Sequence, residues 1–206
     1  LRKVTATPNT QNCSHRVGNV FFTVTNWGFF GSQFNDASDW LPELYCIGPG
    51  VTQGELAPSF EFPAGTGVNY LFQGAFWIGA VADDDTIVSV GADGWQRVHE
   101  MYPRPAPLDD IVQMSTRKTS EFYSTEAVSE QDYISEYTDT LIDAALTERD
   151  AILNRPHKPL GIKIIQRSYS WSFSYAEDFV LMDFKIVNIG QRDLRKMYMA
   201  LYVDAD

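Results

Sequence analysis

Ile162–Tyr175 reads IKIIQRSYSWSFSY, and its alternation decides the fold class. Ile165, Tyr169, Trp171, Phe173 and Tyr175 share one parity, while Ser168, Ser170, Ser172 and Ser174 occupy the other. A period of two marks an extended strand, whose successive side chains point to opposite faces. The expectation is one long strand with an aromatic face and a hydroxyl face. After Ala176-Glu177-Asp178, the run Phe179–Asn188 alternates again through Val180, Met182, Phe184 and Ile186. Asn188–Asp193 supplies a turn, and Leu194–Val203 places Met197, Met199, Leu201 and Val203 together. Three successive strands make an antiparallel meander. The expected class is mainly β, an antiparallel β-sandwich with Ig-like character, long ordered loops and one or two short helices.

Further from that stretch, Tyr70–Ala82 (YLFQGAFWIGAVA) is almost continuously apolar, as in a central strand buried on both faces. Asp83-Asp84-Asp85 then predicts a turn, with Thr86–Gly91 returning as the hairpin partner. Gly18–Asn26 is a further strand candidate, and Trp27–Ser32 an aromatic-packed turn. Asn35–Gly67 is dense in Pro, Gly, Asp and Ser, which predicts a long ordered loop anchored by Cys46, Trp40, Tyr45, Phe60 and Phe62. Residues 103–120 carry Pro103, Pro105 and Pro107 and read as a surface excursion. Helix signals are sparse. Ser129-Glu130-Gln131-Asp132 suggests a capped helix through Tyr137, and a weaker candidate runs from Thr140 to Leu153. The chain stops at Asp206 directly after a strand, and a sheet edge there needs covering. The expectation is one elaborated domain over 1–206, truncated at its C-terminal side or paired with another chain. Residues 1–100 and 155–206 are a candidate subdivision.

Composition narrows the function. The net charge is −11, with 27 acidic against 16 basic residues, and this argues against binding the phosphate backbone of nucleic acid. No apolar run reaches the length of a membrane-spanning helix. Cys13 and Cys46 are either two separate buried thiols or one disulfide. Their loop-rich surroundings favour the bridge, which the chain-entropy model credits with about 3–4 kcal/mol. Asn12-Cys13-Ser14 matches a glycosylation sequon, making Asn12 a candidate acceptor.

Several segments together carry a family resemblance: Val20–Gly28 (VFFTVTNWG), Phe62–Gly67 (FPAGTG), Phe76–Ala80 (FWIGA), His157–Gly161 (HKPLG), Gln166–Trp171 (QRSYSW) and Tyr175–Val180 (YAEDFV). They resemble the N-terminal region of large secreted bacterial proteins, many of which end in a type IX secretion sorting domain or an Ig-like module. The Phe184–Asp204 run is similar to CARDB-type adhesion modules. The resemblance covers most of the chain except 30–58 and 96–135. It implies export, a β-rich fold and a surface role, and it brings no catalytic residues.

Asp83, Asp84 and Asp85 at a hairpin tip are candidate calcium ligands, because three adjacent carboxylates repel unless solvated or bound to a cation. Asp204 and Asp206 share a strand face and form a second candidate pair. The plainer reading of both is solvated acidic surface. His15, His99 and His157 lie far apart, and neither an HExxH motif nor a G-x-S-x-G elbow is present. Trp40 and Trp95 fall in loops and are candidates for contact with a ligand or partner, glycans included. These features point to a non-enzymatic extracellular structural or adhesive protein that assembles as a homo-oligomer or with another cell-surface protein, into a filament or layer, through strand edges and aromatic loops. A carbohydrate-binding accessory module is the competing reading.

Overall fold

The computed structural model describes residues 7–32, 46, 57–94, 98–147, 149–150 and 154–205. Among these residues every regular element is a β-strand and no helix is present. The first half of the chain forms β1 (Asn12–His15), β2 (Phe21–Thr25), β3 (Phe29–Phe30), β4 (Phe60–Glu61), β5 (Leu71–Ala82) and β6 (Asp85–Val90). The second half forms β7 (Tyr102–Pro103), β8 (Val112–Met114), β9 (Gln131–Thr138), β10 (Ile162–Ser170), β11 (Leu181–Asn188) and β12 (Leu194–Ala205).

The strands build two antiparallel sheets. The larger has seven strands in the order β1-β2-β3-β5-β12, with β4 also on β2 and β6 also on β5. The smaller has five, ordered β11-β10-β9-β7, with β8 also on β9. β5 organises the larger sheet. One of its edges is shared by β3, at Gly74 and Ala75, and by β6, from Trp77 to Ala82. Its other edge is paired along its length by β12. The expected hairpin at 70–91 is present: Ala82 faces Asp85 across the two-residue link Asp83-Asp84, with Asp83 in the left-handed region at φ 56°. Where the strand ends, Gly91 lies flat on the β2–β3 turn. A Cβ there would sit 2.1 Å from the Gly28 carbonyl oxygen, so only glycine fits.

The two sheets share one core in a sandwich-like arrangement. Phe22, Val24, Phe76 and Ile78 come from the larger sheet, and Tyr133, Tyr137, Ile162 and Ile164 from the smaller. Phe184 on β11 stacks on Phe76 with ring centroids 4.4 Å apart and planes 6° from parallel. One end of this core is polar. In β10 the even positions face inward, so Gln166, Ser168 and Ser170 are buried beside Ile162 and Ile164. The hydroxyl face of the opening stretch is therefore the one turned to the other sheet. It is tolerated because each group has a partner. His15 on β1 bonds Ser170 through Nδ1 (2.8 Å) and Ser168 through Nε2 (2.7 Å). Gln166 joins the Tyr137 hydroxyl (2.9 Å) to the Thr25 carbonyl (3.2 Å).

Some sequence expectations are corrected. The helix expected over 129–137 is strand β9. Its cap-like residues are real hydrogen-bonding groups serving a different turn: the buried Asp132 carboxylate accepts the backbone N–H groups of Val128 (2.7 Å) and Ser129 (2.8 Å). The segment 140–153 shows a turn at 144–146 and no helix among its described residues. The strand expected to run to Tyr175 stops at Ser170. Glu130 takes hold of the next turn there, accepting bonds from both the amide and the hydroxyl of Ser172. The excursion at 103–120 contains two short strands, β7 and β8, each laid against β9.

Candidate functional site

Among the described residues, the outer edge of β12 is paired by no other strand. Residues paired across an antiparallel ladder point to the same face. Met199 pairs with Ile78, Leu201 with Phe76, and Val203 with Gly74. Ile78 and Phe76 are core residues, 0% and 2% exposed. Met199, Leu201 and Val203 point the same way yet are 60%, 57% and 62% exposed. The cause lies in the facing sheet. Its outer strand, β11, lies over β5 through the Phe184–Phe76 stack, and no described strand follows it to cover β12. Met182, Phe184 and Ile186 of β11 are accordingly only partly buried. The two sheets thus open on one side into an apolar seam, bounded by two strands whose outer hydrogen-bonding edges carry no described partner. The opposite face of β12 is different: Tyr202 stacks on Trp77 at 5.4 Å, and the Trp77 indole donates to the Ala92 carbonyl (2.6 Å).

Cys13 and Cys46 are joined in a disulfide, with Cα atoms 4.9 Å apart. Beside it lies a polar cleft of about 470 Å³ lined by residues including Arg16, Arg117, Glu130 and Tyr133. Asn12 is fully buried in β1, where a glycan has no room, so the sequon match is overruled by burial. Asp85 is ion-paired with Lys158, and the Asp83 carbonyl accepts from Arg195 at 2.6 Å. The Lys158 ammonium beside it holds the Asp85 carboxyl below its ordinary pKa. Asp204 pairs with Gln73 at the far end of β5, nine residues from Ala82, the partner of Leu194. At strand rise that interval is about 30 Å, so the two acidic clusters are not brought together. Among the described residues no three acidic, histidine or cysteine side chains are grouped to hold a metal ion. Asp206, Trp40 and Trp95 lie outside the described residues.

The histidines occupy unlike settings. His15 is completely buried, and desolvation pushes its pKa down to about 3. Both ring nitrogens are engaged by serine hydroxyls, so the His–Ser contacts hold the sheets together and have no access for a substrate. His99 packs against Trp27 and Tyr102, and burial lowers its pKa to about 4. His157 borders a second cleft, of about 690 Å³, together with Asp93, Glu100 and Asp150. Its Nε2 contacts the Asp139 carbonyl at 2.6 Å, and its Nδ1 lies 3.1 Å from Glu100, off line for a good hydrogen bond. Burial opposes its charge, but Glu100 and the Asp139 carbonyl outweigh that penalty and raise its pKa above 6.5.

A second exposed feature was not foreseen. The segment from Trp171 to Phe179 is a loop pinned to the body: Asn19 N–H donates to the Glu177 carbonyl (2.7 Å) and Arg117 donates to Ser172 Oγ (3.0 Å). It presents Phe173 and Tyr175 as a stacked pair, centroids 5.6 Å apart, with Tyr175 82% exposed. The alternation of serines and aromatics continues past Ser170 into this loop, so the sequence pattern does not mark where the strand ends.

No family model, curated protein or solved structure matches the chain. Among the described residues no helix is long and apolar enough to cross a membrane.

Proposed function

We propose that this chain is a non-enzymatic structural or adhesive protein of the bacterial cell surface, exported, with an Ig-like sandwich that assembles through its free strand edge. The observation that carries this reading is β12, an edge strand whose inward-facing Met199, Leu201 and Val203 are more than half exposed. Edge strands in monomeric proteins are guarded by charge, proline, bulges or brevity, and β12 has register shifts only towards its ends, between Arg195 and Tyr198 and between Asp204 and Ala205. β12 is twelve residues long, and its centre from Met197 to Val203 carries no charge. The disulfide fits an oxidising compartment. Light scattering and negative-stain microscopy across a concentration series, with and without calcium, are expected to show species larger than one chain. A monodisperse monomer at every concentration overturns the assembly reading.

The exposed Phe173–Tyr175 pair favours a second reading, a carbohydrate-binding module, because sugar rings stack on accessible aromatic faces. On a glycan array this reading expects binding that Tyr175→Ala abolishes. No binding to any glycan removes it.

A further inference from the structure

We propose that the polar cleft beside the Cys13–Cys46 disulfide and the Phe173–Tyr175 pair form one continuous site for an uncharged oligosaccharide. The inference rests on the carbohydrate-binding reading and adds to it a ligand class and a second half of the site. Ser172 joins the two parts. Glu130 lines the cleft, and its Oε1 accepts from Arg117 Nε at 2.7 Å. Its Oε2 accepts both the amide and the hydroxyl of Ser172, and Arg117 donates a further bond to the same hydroxyl at 3.0 Å. Phe173 follows directly, and the three residues from Ser172 to Tyr175 span at most about 11 Å. A short oligosaccharide held in the cleft therefore reaches the exposed ring of Tyr175.

The floor of the cleft has spent its hydrogen bonds and the rim has not. On the floor, Gln131 donates to the Tyr133 hydroxyl (2.7 Å) and accepts the Arg16 amide (2.8 Å). On the rim, the side chains of Gln113, Thr119 and Glu121 make no hydrogen bond or ion pair among the described residues. Gln113 is half-buried on β8. Thr119 and Glu121 stand on a loop closed by its own backbone. Ser115 N–H donates to the Phe122 carbonyl (2.9 Å), Ser124 N–H to the Ser115 carbonyl (3.0 Å) and Ser120 N–H to the Arg117 carbonyl (2.9 Å). The unspent groups are thus in place before a ligand arrives, which lowers the cost of ordering them. The cleft's volume of about 470 Å³ falls within the range of about 300–1,000 Å³ typical of small-molecule sites. A ligand that fits offers hydroxyls to the rim and an apolar ring face to Tyr175, and a sugar has both. Arg16 and Arg117 in the lining are balanced by Glu121 and Glu130, so the cleft gives a charged ligand no advantage over a neutral one.

Calorimetric titration of the whole chain tests the joined site, with cellotetraose, xylotetraose, mannotetraose and chitotetraose as neutral probes and tetragalacturonate as the charged control. At least one neutral probe is expected to bind. Gln113→Ala and Glu121→Ala are each expected to weaken that binding about three- to tenfold, the worth of one hydrogen bond, and Tyr175→Ala to abolish it. Glu121 is exposed and without a partner among the described residues, so Glu121→Ala reports on the cleft even where Gln113→Ala lowers stability. Binding that Tyr175→Ala removes and neither cleft variant alters overturns the joined site and leaves the carbohydrate reading standing. Binding indifferent to Tyr175→Ala, or confined to tetragalacturonate, overturns it as well. No binding to any probe does the same, and a blank glycan array removes the carbohydrate reading with it.

Discussion

Asp139→Ala is expected to cost at least about 4 kcal/mol of folding stability, enough to leave little native protein in a domain whose total is about 5–15 kcal/mol. Asp139 follows β9 and is 0% exposed. Its Oδ1 accepts the backbone N–H groups of Gly161 (3.1 Å) and Ile162 (2.8 Å). Its Oδ2 accepts the Leu160 N–H (2.6 Å) and the Ser89 hydroxyl (2.8 Å). Four donors from two sheets thus converge on one carboxylate, at the entry to β10 and beside β6. Removal leaves all four without an acceptor in a site closed to water, and each buried unsatisfied donor costs about 1–3 kcal/mol. Asp139→Asn keeps one acceptor oxygen and is expected to lose roughly half as much. Urea denaturation of the three proteins checks this. Equal midpoints for wild type and Asp139→Ala would contradict the account.

Acid is expected to produce the second large effect, with stability falling as pH drops below about 6.5. His15 stays neutral in the folded state down to about pH 3, whereas the unfolded chain takes up that proton near 6.5. Between those values the unfolded state binds more protons, so stability rises with pH. A shift of this size corresponds to about 5 kcal/mol between the two ends of the window. His99, lowered to about 4, acts in the same direction over a narrower range. His157 acts oppositely: its raised pKa supplies stability that is complete below 6.5 and lost as pH rises through its folded value. His15→Gln is expected to be less stable at neutral pH but to show a shallower acid slope. The direct measurement is an imidazole proton titration by NMR. A His15 resonance that titrates near 6.5 in the folded protein would sink the prediction.

Strand structure was readable wherever one face of a strand differs from the other. Met182, Phe184 and Ile186 alternate with Asp183 and Lys185, and β11 lies where that alternation put it. β5 was readable for the opposite reason, since a run flanked by strands on both edges and covered on its inner face has few polar positions. β9 was not readable. Tyr133, Ile134 and Tyr137 fit a helical stripe as well as a strand, and Ser129 and Asp132 look like cap residues in either context. Tertiary pairing with β10 settles the matter, and no local spacing records it. The polar half of the core was hidden likewise. Ser168 and Ser170 resemble a solvated face until His15, more than 150 residues earlier in the chain, is placed against them. Of the candidate sites, the disulfide was readable from residue type and its loop-rich surroundings. The Asp139 cluster was not, because its four donors include three main-chain amides, which any sequence possesses.

The order of strands in the larger sheet has a consequence for the timing of folding. β1 to β6 are contiguous in the chain, the whole smaller sheet is then inserted, and only afterwards does β12 return to β5. The smaller sheet can form from neighbouring hairpins, whereas β12 must close a loop of more than a hundred residues to reach its place. As the chain emerges from a ribosome, the second edge of β5 therefore waits for β12 until almost all of these residues are out. During that interval the hydrogen-bonding edge beside Phe76 and Ile78 is open to any extended segment nearby. The step at greatest risk of misassembly is thus the last one, and holding the late strand unfolded protects nothing unless β5 is shielded as well.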